Sequence, residues 1–201
     1  DHYEADPRFP ECLLGFGHEM FVYVVHDVTL RCACDRIRHV IISPISSAEI
    51  GAAVELNNAE VPNVVATDLE HFAELMSHRG VVWGAHNIGG RNGLGGMLVA
   101  VEPGTTYNSS NYQWFDDRSD DFIYVDRIVV APAAKGQGVG RALYERLAAE
   151  YVGTARQMTC EVNLDPLNEP SLAFHRAMGF GQVGIKLDGS KTVSLMAKEL
   201  A

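Results

Sequence analysis

Basic residues, cysteine and long apolar runs are all scarce in this chain of 201 residues. There are 16 Lys and Arg against 26 Asp and Glu, a net charge of −10. A nucleic-acid binder presents basic surface to phosphates, and so does a protein that docks on anionic lipid, so the charge balance argues against both. The four cysteines, Cys12, Cys32, Cys34 and Cys160, are too few for a disulfide scaffold of this length. None forms a C-x-x-C pair, and metal ligands need tight, repeating separations, so no metal site is expected. The longest apolar run near the start, Met20 to Val25, is far too short to span a bilayer. No basic segment precedes it, as one would in a signal peptide. No membrane association and a cytoplasmic location are the default expectations.

The rest of the composition is that of an ordinary folded protein, with 47% hydrophobic and 21% charged residues. A chain of this length buries roughly 70% of the surface it exposes when unfolded, so it needs no staples. The first forty residues stand apart. They hold three of the four cysteines and four of the eight histidines, and they begin with Asp. The expectation is an N-terminal extension over residues 1–35, whose true start lies elsewhere, with a strand hint at Val22, Val24 and Val28.

From Arg36 the pattern becomes regular. Ile37 to Ile42 reads as a strand, and Ser47 as the cap of a helix through Asn57. Leu69, Phe72, Ala73, Leu75 and Met76 give one face of a helix over Asp68 to His78. Val81 to His86 and Leu94 to Val101 read as a hairpin around Gly89 to Gly93. Glu102 to Asp121 reads as a long polar connection, and Phe122 to Val130 as an apolar strand. Gly138 to Val152 is a helix with Val139, Leu143, Leu147 and Tyr151 at i, i+4 spacing. Met158 to Val162 is a strand, and Asn168 caps a helix that ends at Met178 with Gly179 after it. Phe180 to Lys186 and Thr192 to Ala197 close the chain as a hairpin turning at Asp188-Gly189. The order predicts an α/β fold on a mixed sheet.

The most informative stretch runs from Ile128 to Arg141. A strand enters a short loop holding Gly136, Gly138 and Gly140, which leads straight into a helix. Glycines let backbone approach an anion, and the unpaired N–H groups of the first helical turn hold it. Lys135 and Arg141 add charge beside the same spot. The stretch lacks the closing Lys-Ser or Lys-Thr of a nucleotide P-loop, and its G-x-G-x-G spacing is not the dinucleotide fingerprint. A diphosphate-binding turn is the physical reading; glycines serving only a tight turn are the alternative.

Val130-Ala131-Pro132 followed by Lys135-Gly136-Gln137-Gly138-Val139-Gly140 resembles the pyrophosphate signature of the GNAT superfamily of N-acetyltransferases, with Lys135 in place of the usual Gln or Arg. Asn168 to Phe180 resembles the second motif of the same superfamily, and the likeness covers about Arg36 to Ala201. The resemblance implies a GNAT domain over residues 36–201, built on a six- to seven-stranded mixed sheet with splayed central strands flanked by helices. It implies acetyl-CoA as co-substrate, with the main chain of Ile128, Val129 and Val130 along the pantetheine. The N–H groups of Gly136, Gln137, Gly138, Val139, Gly140 and Arg141 would lie on the diphosphate, with Lys135 nearby, and Asn168 and Phe174 on the far side. It also implies direct attack by a primary amine in a ternary complex, and a homodimer of the kind many relatives form.

The chemistry needs a base, a polarised thioester carbonyl and a proton for the leaving thiolate. Asp126, read as sharing a face with Tyr124, Ile128 and Val130, is the candidate base; a structural carboxylate paired with Arg127 is the alternative. Tyr124 and Glu161 are lesser candidates, and a main-chain N–H near Ile128 would polarise the carbonyl. His175 sits where many relatives carry a Tyr that protonates the thiolate; packing against the cofactor is the other reading. Asp116, Asp117, Asp120 and Asp121 read as a solvated loop or as an attractor for a cationic amine. Tyr112, Trp114 and Phe115 either cover the substrate end or anchor that loop, and Cys160 is expected to be buried and inert. Two rivals to the enzyme reading are a non-catalytic acyl-CoA-binding sensor or partner module and a nucleotide-binding α/β domain.

Overall fold

The computed structural model describes residues 40–88 and 91–200. The expected extension over residues 1–35, its boundary, the strand hint at Val22 to Val28 and the turn glycines Gly89 and Gly90 lie outside that range. Strand β1 (Ile41–Pro44) leads through a 3-10 turn (Ser47–Glu49) into α1 (Ile50–Asn58) and then α2 (Leu69–Ser77). Strands β2 (Gly80–Ile88) and β3 (Arg91–Val101) form a hairpin, followed by α3 (Ser110–Asp116) and β4 (Phe122–Val130). A 3-10 turn (Pro132–Ala134) leads into α4 (Val139–Tyr151), then β5 (Gln157–Asp165), α5 (Glu169–Ala177), β6 (Gly181–Asp188) and β7 (Lys191–Glu199). The seven strands make one mixed sheet in the order β1-β2-β3-β4-β5-β7-β6, with β4 and β5 its parallel pair.

Apolar periodicity places the helices. Val139, Leu143, Tyr144 and Leu147 bury one stripe of α4 on a sheet face shared with Leu172 of α5. Each such side chain contributes roughly 1.5–3 kcal/mol on burial. The opposite face is covered by Ala53 and Leu56 of α1, Phe72 and Leu75 of α2, and Tyr112 and Phe115 of α3. Asp68 caps α2 by accepting from His71 N at 2.8 Å. At α1 the start differs from expectation. Ser46 rather than Ser47 is the cap, its N–H donating to the Glu49 carboxylate at 2.9 Å, and the first turn is 3-10.

Helix α3 is the element the sequence reading left inside a polar connection. Ser109 Oγ accepts from Tyr112 N at 3.3 Å to start it. Its buried residues, Asn111, Tyr112 and Phe115, hold it against the aromatic cluster of Tyr107, Phe122 and Tyr124. Tyr112 and Phe115 are therefore loop anchors, and Trp114 lies under the Arg118 guanidinium at 3.9 Å. The aspartates nearby do structural work too: Asp116 accepts from Gly104 N, and Asp121 from Arg156 N, each at 2.8 Å.

Two irregularities in β4 shape the site. Opposite β3, Val99 pairs with Arg127 and Ala100 with Val125, so Asp126 is an extra residue, a β-bulge. The bulge breaks strict alternation. Phe122 and Tyr124 pack on the α1–α2–α3 face, as does Val129, whereas Ile128 and Val130 pack on the α4–α5 face. The expectation that Tyr124, Asp126, Ile128 and Val130 share a face is corrected accordingly: one inserted residue flips every later side chain. On the other side, β4 pairs with β5 only from Phe122–Gln157 to Val125–Cys160. Beyond that point the two strands part, and the main chain of Asp126 to Val130 has no partner from β5.

A buried tie spans this region. Arg127 Nε donates to Asp126 Oδ2 at 2.6 Å, and Arg127 Nη1 to Asn57 Oδ1 of α1 at 3.0 Å. Asn57 Nδ2 in turn holds Val65 O at 2.9 Å in the α1–α2 loop. Asn57→Ala orphans a buried guanidinium N–H and a backbone carbonyl. It is expected to lower stability by about 2–3 kcal/mol, within the range for lost buried partners, as read by urea denaturation.

Candidate functional site

A cleft of about 1460 Å³ runs through the gap between β4 and β5. Typical small-ligand pockets reach roughly 300–1,000 Å³, so this one has room for a large ligand and a second, smaller one. One end is the glycine turn. Gly136 and Gly138 have φ of +74° and +81°, in the left-handed region that favours glycine. A Cβ built on either meets nothing within 4 Å, so the turn faces open space. Gln137 N is bonded to Ala134 O. The N–H groups of Gly136, Gly138, Val139, Gly140 and Arg141 have no acceptor among the described residues. Aligned at the start of a 13-residue helix, these free donors form an anion cradle.

The expected residues around the cradle gather there, with different tasks. Lys135 Nζ is tied to Glu60 Oε1 at 2.6 Å, and Arg141 lies 3.6 Å from Glu145, so both cations are already paired at the surface. Gln137 bonds back to Ala133 O at 2.7 Å. Gly140 packs closely on Phe174: a Cβ there would come within 3.1 Å of the ring, which would have to give by a few tenths of an ångström. Asn168 caps α5 by accepting from Ser171 N at 3.2 Å, and with Phe174 it lines the cleft across from Ile128, Val129 and Val130.

Where the strands part, three of the expected catalytic side chains are differently employed. Asp126 is bonded to the Tyr107 hydroxyl and paired with Arg127, and both members of the pair are almost fully buried. This is the structural-carboxylate alternative. Tyr124 is fully buried and donates to Glu161 Oε2 at 2.6 Å; burial holds its hydroxyl well above the usual range, so it stays protonated. His175 Nδ1 lies 2.7 Å from the Ser171 carbonyl, which only accepts, so Nδ1 carries the hydrogen. Nε2 then accepts from the Tyr144 hydroxyl at 2.8 Å. Burial lowers the imidazole pKa and favours this neutral form. His175 thus directs no proton at the cleft, and the expected donation from it to a thiolate finds no support in its hydrogen bonds.

Glu161, a lesser candidate in the sequence, is the titratable group the geometry brings forward. It sits one residue past the last β4–β5 pair and lines the cleft. Burial, then the nearby Asp126 charge, raises its carboxyl from 4.5 to about 7, while the bond from Tyr124 pulls the other way. Single-residue pattern reading could not rank Glu161 above Asp126, because the bulge that engages Asp126 is a register property. Cys160 is buried and its thiol pKa pushed up by burial, in keeping with an inert side chain.

The far end of the cleft lies on the α1–α2–α3 face. It is lined by His71 and Glu74 of α2, by His78 just after it, by Asn111 of α3, and by Asp188 and Lys191 of the β6–β7 hairpin. None of the acidic residues 116–121 lines it, which favours the solvated-loop reading. Among the described residues no His, Cys, Asp or Glu cluster could hold a metal, and no helix is long and apolar enough to cross a membrane.

Comparison with known proteins gives a consistent picture. Residues 70–180 match the family described as "Acetyltransferase (GNAT) family". A 65-residue stretch is 43% identical to phosphinothricin N-acetyltransferase of Alcaligenes faecalis, covering 32% of this chain and 32% of that relative. The matched stretch thus spans about a third of the relative's length. Among solved structures, the phosphinothricin acetyltransferase of Sinorhizobium meliloti in complex with acetyl-CoA superposes with a TM-score of 0.59 at 18% identity, over 81% of this chain and 89% of that one. A ribosomal-protein alanine N-acetyltransferase of Escherichia coli superposes with a TM-score of 0.60 at 19% identity, over 81% of this chain and 94% of that one. At these identities the structural likeness is one of fold.

Proposed function

The chain belongs to the GNAT acetyltransferase family, and from that premise we propose that it moves an acetyl group from acetyl-CoA to a primary amine by direct attack. The observation that carries this reading is the juxtaposition, in one cleft, of a free-amide anion cradle with the Glu161 carboxyl at the strand gap. Acetyl-CoA supplies the activated acetyl group. The free amides of Gly136 and of residues 138–141 bind its diphosphate, and the main-chain groups of Asp126 to Val130 on the side away from β3 align its arm and polarise the carbonyl. Glu161 accepts the proton from the incoming ammonium, with Tyr124 fixing the carboxylate in place; the freed amine then forms the C–N bond, the thioester C–S bond breaks, and the departing CoA thiolate takes up the second proton of the nitrogen. Asp126 is a positioning residue that keeps Glu161 from ionising too early.

Two measurements test the proposal together. Calorimetry is expected to detect binding of acetyl-CoA, and thiol release from acetyl-CoA is expected to depend on added amine. Binding with no release over a broad amine panel would favour the sensor reading. No binding at all would overturn both.

A further inference from the structure

Two hydrogen bonds cross the acceptor end of the cleft, and a third set fixes the loop that one of them reaches. Lys191 Nζ, on the β6–β7 hairpin, donates to Pro62 O in the α1–α2 loop at 3.0 Å, across 129 residues of sequence. Ser110 Oγ of α3 donates to Asp188 Oδ1 of the same hairpin at 2.7 Å. The α1–α2 loop is itself fixed: Asn57 and Asn58 hold Val65 O and Thr67 O at 2.9 and 2.8 Å, and Arg127 anchors Asn57 to the central strand. An extended polypeptide needs a trough open at both ends to reach a buried carboxylate. Here hairpin, loop and α3 are tied to one another across the acceptor end, which obstructs such a trough.

The charges inside the cleft are unequal. Four Lys and Arg side chains line the cleft: Arg127, Lys135, Arg141 and Lys191. The first three are paired with Asp126, Glu60 and Glu145. Lys191 has no carboxylate partner among the described residues; its partner is a neutral carbonyl. Asp188, opposite it in register, is taken by Ser110 and stands 4.0 Å from Lys186. A partly buried ammonium with one donor used and two to spare is suited to an anion. Lys191, Val193 and Leu195 alternate along β7, and Val193 and Leu195 pack on the α1–α2–α3 face opposite Asn163 and Glu161. Glu161 and Lys191 therefore bracket that face of the cleft. Leu195, the partner of Glu161, lies four β7 residues from Lys191, roughly 13 Å at about 3.3 Å per residue, so an acceptor that reaches both groups is extended along that face.

Resting on the transfer reading above, we propose that the acceptor is a small primary amine that carries an anionic group several bonds away, held by Lys191 while its amine faces Glu161. The test compares 4-aminobutyrate, 8-aminooctanoate, n-butylamine and a free-amino-terminus decapeptide in acetyl-CoA thiol-release assays, with the wild-type chain and Lys191→Met. The wild type is expected to prefer the carboxylate-bearing amines over n-butylamine. Lys191→Met is expected to collapse that preference about 10- to 100-fold, through KM for the amine rather than kcat, the value of one charge-assisted hydrogen bond. Lys191→Arg should restore most of it, and calorimetric affinity for acetyl-CoA shows that each variant is folded. Efficient turnover of the decapeptide, or a carboxylate preference that survives Lys191→Met, overturns this inference and leaves the transfer reading standing. No release with any of the amines overturns both.

Discussion

Glu161→Gln is expected to lower kcat/KM for the amine by about 10²- to 10⁴-fold, the usual contribution of a positioned base. The substitution keeps the shape of the side chain and an oxygen for the Tyr124 hydroxyl, which donates to it at 2.6 Å. What it removes is the proton acceptor. Affinity for acetyl-CoA should be unchanged, since the glycine turn is untouched. The pH dependence carries the sign. The Glu161 carboxyl is raised to about 7 and acts only when ionised, so wild-type activity should climb with pH through about 7 and level off above it. In Glu161→Gln that limb should vanish. Tyr124→Phe removes a bond that favours the charged carboxylate, so its limb should move to higher pH. Thiol-release rates across pH 5.5–9 would decide it. Activity of Glu161→Gln within a few-fold of wild type would sink the assignment. Asp126→Asn is a poor substitute test, because it strips a buried guanidinium of its counter-charge and damages the fold as well as the site.

The contrast between Glu161 and Asp126 shows how far the sequence reaches. Elements with strong period were legible: the i, i+4 stripe of α4, the Asn168 cap and the turn at Gly189 all stand where local chemistry puts them. So did the cradle, because φ above zero at Gly136 and Gly138 and free amides at a helix start are local properties. Helix α3 was hidden because only Asn111, Tyr112 and Phe115 of it are buried, too short a stripe to stand out among polar neighbours. A Ser109 cap ahead of aromatics spaced three apart was the available signal. The facing of Asp126 was not legible at all. It depends on one extra residue opposite Val99 and Ala100, a matter between strands. The bond between His175 and Tyr144 and the pairing of Lys135 with Glu60 likewise join residues distant in sequence, where no single-segment pattern speaks.

Gly138→Val is expected to weaken acetyl-CoA binding by about 10²- to 10⁴-fold, the equivalent of losing two charge-assisted amide bonds. Gly138 holds φ at +81° as the residue that opens α4, and a side chain there strains the backbone by at least ~1–2 kcal/mol. Strain alone would lower stability without touching the ligand. Gly153 separates the two effects. It follows the other end of the same helix with φ of +83°, and a Cβ there also meets nothing within 4 Å. It does not line the cleft. Gly153→Val should therefore cost a similar amount of stability in urea denaturation while leaving the calorimetric affinity for acetyl-CoA near wild type. The space beside Gly138, by contrast, is where a diphosphate would press against the free amides of residues 138–141. A branched side chain there holds the anion off its donors. Equal, small effects of the two substitutions on affinity would mean that the turn is only a turn.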